Sequence, residues 1–144
     1  MTWFEVLKKA LFIVIQCTWG IFQTLIGAAV FLVMFKYRHK MYRCAIDTRW
    51  NLNYGLSLGL FIFTPNGETP YLKKLRVHEY GHCIQSLAVG PLYLIIGLIS
   101  IVWERVPYFT TLRRTKKLPY TACFVEAWAS KWGEYITGEK AIWD

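Results

Sequence analysis

The sequence predicts a mainly α-helical membrane protein with a small β element, and three observations carry that expectation. Residues 10–35, ALFIVIQCTWGIFQTLIGAAVFLVMF, contain no charge, and about 20 apolar residues cross a bilayer core of roughly 30 Å. Hydrophobic residues make up 55% of the 144-residue chain and charged residues 18%, below the roughly 25% charge of soluble domains. Residues 51–63, NLNYGLSLGLFIF, alternate bulky apolar with mostly small or polar side chains, a period of two that indicates strand. The length fits a single membrane-associated domain over 1–144.

Taken in order, residues 10–35 are expected to form one tilted transmembrane helix. The run is too long for the apolar core of a signal peptide. Gln16, Thr18, Gln23 and Thr24 interrupt it and are expected to face other helices rather than lipid. Lys36, Arg38, His39, Lys40 and Arg43 follow at once and read as a collar facing headgroups. Lys8 and Lys9 precede the run and the rest of the 17 Lys and Arg come after it, which puts the following chain in the cytoplasm by the positive-inside rule. The net charge of +8 is thereby assigned to anionic lipid. No nucleic-acid motif is present.

The alternating segment 51–63 is expected to be a strand, with Thr64-Pro65-Asn66-Gly67 as a turn. Thr69-Pro70 reads as a helix start, Thr as N-cap and Pro in the first turn. Gly90-Pro91 ends that helix. Residues 91–103 are apolar again, yet cover only about 20 Å as a helix, which suggests a re-entrant or interfacial segment, with a second membrane helix as the alternative. Residues 107–119, with Arg113, Arg114, Lys116 and Lys117, look loop-like. Residues 120–138 read as a last helix. On it Ala122, Glu126, Ala129, Ser130 and Gly133 share one small-residue face.

The chemistry concentrates in His78-Glu79-Tyr80-Gly81-His82, an H-E-x-x-H pattern. Positions i and i+4 of a helix lie on one face, so both imidazoles can reach one ion, while Glu79 leans aside to contact water. A catalytic zinc site usually has three protein ligands and one open position. Of the carboxylates after His82, Glu104 reads as an interface charge, Glu134 as solvated, and Glu139 and Asp144 as tail residues. Glu126 stands among Phe124, Val125, Ala127 and Trp128, where a carboxylate is costly unless paired or bound to a metal. It is the expected third ligand, with a salt bridge to Arg76 or Arg105 as the other reading. Gln85 and Ser86, one turn beyond His82, are candidates to hydrogen-bond a ligand or substrate. Tyr120 and Tyr135 are candidate oxyanion donors. Cys17, Cys44, Cys83 and Cys123 form no C-x-x-C pair.

H-E-x-x-H followed by a distal glutamate on a second helix resembles the gluzincin class of zinc metallopeptidases. The wider string HEYGHCIQS, then GPLYL, then EAWASKWG, resembles a group of small bacterial membrane proteins with a metallopeptidase-like site. The likeness covers roughly residues 55–133. It implies Zn2+ held by His78, His82 and Glu126, with Glu79 as general base, inside a zincin-like region over 51–138. The expected function is hydrolysis of a peptide or protein substrate by activated water, at the cytoplasmic side of a bacterial inner membrane. Two other readings stand beside it. One is a non-enzymatic membrane protein with a structural metal, which Cys83 and Cys123 keep open. The other is a hydrolase of a non-peptide amide or lipid.

Overall fold

The computed structural model describes all residues 1–144. It is mostly helical, with one small four-stranded sheet. Helix α1 (Trp3–Thr18) begins with a capping box, in which Thr2 accepts from the Glu5 N–H and Glu5 accepts from the Thr2 N–H. Helix α2 (Ile21–Val33) follows after a break at Trp19 and Gly20, and the two are bent by 98°. The expected single helix over 10–35 is therefore two. The polar residues explain the break. Gln16 donates from Nε2 to the Cys83 carbonyl at 3.1 Å, and Gln23 donates to Ser86 Oγ at 2.8 Å and to the Gly90 carbonyl at 2.9 Å. Thr24 donates back to the Gln16 carbonyl at 2.7 Å. Both glutamines are fully buried, so a straight helix would leave these groups unpaired.

The basic cluster expected to be a headgroup collar is an edge strand, β1 (Arg38–Tyr42), paired antiparallel with β2 (Ala45–Trp50). Exposed Arg38 and Lys40 on that edge oppose further strand pairing. The expected strand over 51–63 is shorter and turns back on itself: β3 (Leu56–Leu58) and β4 (Phe61–Pro65) form a hairpin across Gly59, whose φ is +63°. Strand β4 lies between β2, to which it runs parallel, and β3, which is left at the edge. Both faces of the sheet are covered. Ile62 and Ala45 pack with Phe12, Tyr80 and Cys83. Phe61, Phe63 and Trp50 pack against Val30 and Phe31 of α2.

Helix α3 (Pro70–Val89) is central. Thr69 caps it by accepting from the Leu72 N–H at 3.3 Å, with Pro70 in its first turn. Its start is fixed to the sheet by charge. Arg76 reaches Glu68 at 3.1 Å and Asp47 at 3.5 Å, Arg49 reaches Glu68 at 2.8 Å, and Thr64 donates to Asp47 at 2.8 Å. Pairing offsets the cost of burying these ions. A one-turn 3-10 helix (Gly90–Leu92) leads to α4 (Tyr93–Arg105), and α5 (Pro107–Lys116) follows where a loop was expected. Another 3-10 turn (Tyr120–Ala122) precedes α6 (Phe124–Thr137).

The run Pro70–Arg105 is long and apolar enough to cross a membrane, a test that a buried core helix would also pass. It does not run straight. Ser100 donates to Glu126 Oε1, and the other oxygen of Glu126 lies 3.2 Å from His82 Nε2. A continuous helix would carry Ser100 about 27 Å from His82. The chain therefore doubles back at Gly90-Pro91, and α4 returns beside the histidines.

Helices α3 and α6 make the closest helix pair. A Cβ at Gly81 would sit 1.8 Å from the Ala129 carbonyl oxygen, and one at Gly133 would sit 2.2 Å from that of Val77. The small-residue face of α6 is what permits this approach.

Candidate metal centre

The close crossing of α3 and α6 brings three side chains together. His78 Nε2 lies 3.1 Å and His82 Nε2 3.2 Å from the same oxygen, Oε2, of Glu126. All three are buried, and their donor atoms lie within 4.8 Å of one another, so the group could hold a metal ion. Glu126 occupies the first turn of α6, where the helix dipole favours a carboxylate. Burial would raise its carboxyl, but His82 and His78 outweigh that and hold it well below the usual carboxylate range. Arg76 and Arg105, its alternative partners, pair elsewhere.

The ring tautomers follow from the outer hydrogen bonds. Ser130 has one hydroxyl proton and donates it to the Ile142 carbonyl. Its oxygen, 2.8 Å from His78 Nδ1, must then accept from the Nδ1–H. Gln85 donates from Nε2 to the Val125 carbonyl at 2.9 Å, which turns Oε1 toward His82 Nδ1 at 2.7 Å as an acceptor. Each ring thus keeps a proton on Nδ1 and turns Nε2 to the common centre, where it can donate to Glu126 or, once deprotonated, offer its lone pair to a metal. This is the arrangement that orients histidines as metal ligands.

Glu79 stands beside the triad and outside it. The Ser57 hydroxyl on β3 lies 2.7 Å from both its Oε2 and its backbone carbonyl. Tyr93 on α4 donates to the Ser57 carbonyl at 2.7 Å. The Tyr120 ring is 6.2 Å from the His78 ring. Burial, reinforced by the Glu126 charge, pushes its phenol upward, so it remains a proton donor.

Two grooves meet at this point. A mixed one of about 280 Å³ has Asn53, Glu104 and Asp144 beside Tyr71, Leu75 and Ile142. A larger, apolar one of about 460 Å³ runs between α2 and α4. Gly55, Glu79, Glu104 and Tyr120 line both.

Of the residues singled out from sequence, His78, His82, Glu79, Glu126, Gln85 and Tyr120 gather here. Two do not. Ser86 donates to Gln16 Oε1 at 2.8 Å and fixes the α1–α2 break. Tyr135 is 85% exposed on the outer surface. Glu134, expected to be solvated, accepts from the Ala141 N–H and from Trp143 Nε1, each at 3.0 Å, and so anchors the tail. The sequence reading missed the partner roles of Ser130, Ser100, Ser57 and Tyr93. Ser130 was within reach of it, since it lies one turn from Glu126 on the small face. No protein-family model, curated protein or solved structure matches the chain.

Proposed function

We propose that the chain is a membrane-embedded zinc metallopeptidase. The observation that carries this reading is the pair of histidines oriented by Ser130 and Gln85 to turn both Nε2 atoms toward the Glu126 carboxylate, with Glu79 adjacent but outside the triad. Two imidazoles and one carboxylate suit zinc with a position left open. Cys83 packs in the apolar cluster with Ala45 and Ile62, away from this centre, which removes one support for a closed structural site.

A bound zinc ion supplies Lewis acidity, polarising a carbonyl and acidifying water. Glu79 accepts the water proton and delivers it to the leaving amine. Ser57 holds the Glu79 carboxylate in place for that transfer. Tyr120 donates to the developing oxyanion. The groove walls position the chain to be cut.

The apolar surface supports the membrane part of the proposal. Leu11 and Val14 on α1, Phe22 and Leu25 on α2, and Ile95 and Leu98 on α4 are all more than half exposed. Soluble monomers rarely expose contiguous apolar patches beyond a few hundred Å². These helices are each shorter than a bilayer core, so they sink into one leaflet, and the basic residues favour the cytoplasmic side.

The test is metal content together with peptide hydrolysis. Wild type is expected to hold one zinc per chain, His78→Ala and Glu126→Ala to lose it, and Glu79→Gln to keep zinc and lose hydrolysis. Zinc retained in Glu126→Ala would move the third ligand elsewhere. Turnover retained in Glu79→Gln would defeat the mechanism, and zinc with no hydrolysis in any form would favour a structural metal.

A further inference from the structure

We infer that the apolar groove between α2 and α4 is a subsite for the apolar stretch of a polypeptide substrate arriving from the bilayer, and that Gly97 keeps this subsite open; the inference rests on the peptidase reading. The inner end of the groove is formed by His82 and Glu79, and its outer part by Ile26, Leu98 and Ile101. Those three are 47%, 61% and 52% exposed; Leu98 belongs to the apolar surface assigned above to lipid, and Ile26 and Ile101 lie on the same two helices, α2 and α4. A chain segment leaving the acyl region would therefore reach the centre without crossing water.

Gly97 is a second and independent observation. It sits inside α4, where glycine is less stable than alanine by about 1 kcal/mol. Gly81 and Gly133 have a packing reason, because a Cβ there would collide with backbone. A Cβ at Gly97 would meet nothing within 4 Å, and its φ is not in the left-handed region. The fold gives no reason for the missing side chain, and the groove does. The empty space beside Gly97 is space that an occupant can use.

The occupant is a polypeptide rather than an acyl chain because of what lines the two grooves together. Asn53, Tyr54 and Gly55 line the mixed groove, and Gly55, Leu56, Ser57 and Leu58 line the apolar one. The segment 53–58 thus runs past Glu79 from one groove to the other, bent at Asn53 and Tyr54 and extended only from Leu56 to Leu58. The Ser57 carbonyl on this edge is already taken by Tyr93, so an occupant is held by the groove walls rather than by pairing to β3. An acyl chain would fill the apolar groove and leave Asn53, Glu104 and Asp144 of the mixed one without a role. A peptide with apolar residues on one side of the scissile bond and polar residues on the other fills both.

The experiment compares two synthetic peptides with the same central sequence, one flanked by Leu residues and one by Ser and Gln. Binding is read by fluorescence anisotropy in detergent on the non-cleaving Glu79→Gln protein, and cleavage on the wild-type background. Gly97→Leu is expected to lower the preference for the Leu-flanked peptide, as a ratio of affinities and of kcat/KM, at least about tenfold. Gly97→Ala should lower it less. Zinc content and melting temperature check that both variants fold. An unchanged ratio in a folded, zinc-loaded Gly97→Leu protein overturns the inference while leaving the peptidase reading standing. If wild type cuts neither peptide but Gly97→Leu still reduces the binding preference, the subsite stands and the peptidase reading falls. Faster cleavage of an N-acyl amide of similar length than of either peptide overturns the polypeptide assignment.

Discussion

Gly81→Ala tests whether the α3–α6 crossing sets the metal centre. The added Cβ would sit 1.8 Å from the Ala129 carbonyl oxygen, whereas a close carbon–oxygen contact is ~3.3 Å, so the two backbones must part by about 1.5 Å at that point. No side-chain rotation relieves the clash, because the obstructing atom is backbone. Gly81 lies between His78 and His82, and Ala129 lies less than one turn from Glu126, so the displacement falls on the ligands themselves. Metal sites tolerate only about 0.2 Å of change in ligand distance. Overpacking of this kind costs about 1–3 kcal/mol, equivalent for a chain of this size to roughly 3–10 °C in Tm. Thermal unfolding in detergent and zinc content after dialysis would read both effects. Gly97→Ala is the control, since that site has free space and ordinary helical geometry, and it should melt no lower than wild type. A Gly81→Ala protein that melts with wild type and keeps stoichiometric zinc would refute the claim that this crossing fixes the centre.

Ser130→Ala leaves the His78 Nδ1–H and the Ile142 carbonyl without their partner, and Gln85→Leu does the same to the His82 Nδ1–H and the Val125 carbonyl. Each is expected to weaken metal binding by about 10- to 100-fold in competition with a chelator; wild-type affinity in both would show that the tautomers are set otherwise. In metal-free protein, the Glu126 carboxyl is depressed by His82 and His78 against the effect of burial. A depressed carboxyl contributes stability above its unfolded pKa of about 4.3 and loses it as pH falls toward the folded value. The Tm of chelator-treated protein should therefore drop below about pH 5, and Glu126→Gln should flatten that drop; an equal acid slope in the two proteins would refute the pairing.

Most of the centre was legible because its logic is local. The spacing of His78 and His82 fixes a shared helix face, Thr69-Pro70 marks where that helix begins, and Glu126 stood out as a carboxylate among apolar neighbours on a small face. Each signal needs only one turn or one element to be read. The same local reading failed where two distant segments compete for one group. Residues 10–35 look like one apolar helix until Gln16 and Gln23 are given their partners in α3. Residues 36–43 look like a basic collar until β2 supplies a strand to pair with. Residues 51–63 look like one strand until the positive φ at Gly59 turns the chain and β4 inserts beside β2.

The sequence by itself determined the candidate ligand types, the shared helical face of His78 and His82, the candidate base at Glu79 and the strongly apolar character of the chain. Tertiary structure alone decided that α4 folds back over the histidines, that Ser130 and Gln85 orient the two rings, and that Glu79 stands where a mixed and an apolar groove meet. The physical reason is range. Side-chain periodicity is set by a helix or strand within a few residues, whereas a hydrogen-bond partner or a groove wall is supplied by whichever distant backbone the packing brings near. Here that packing turns on two glycines, Gly81 and Gly133, whose missing side chains let α6 approach close enough to carry Glu126 to the histidines.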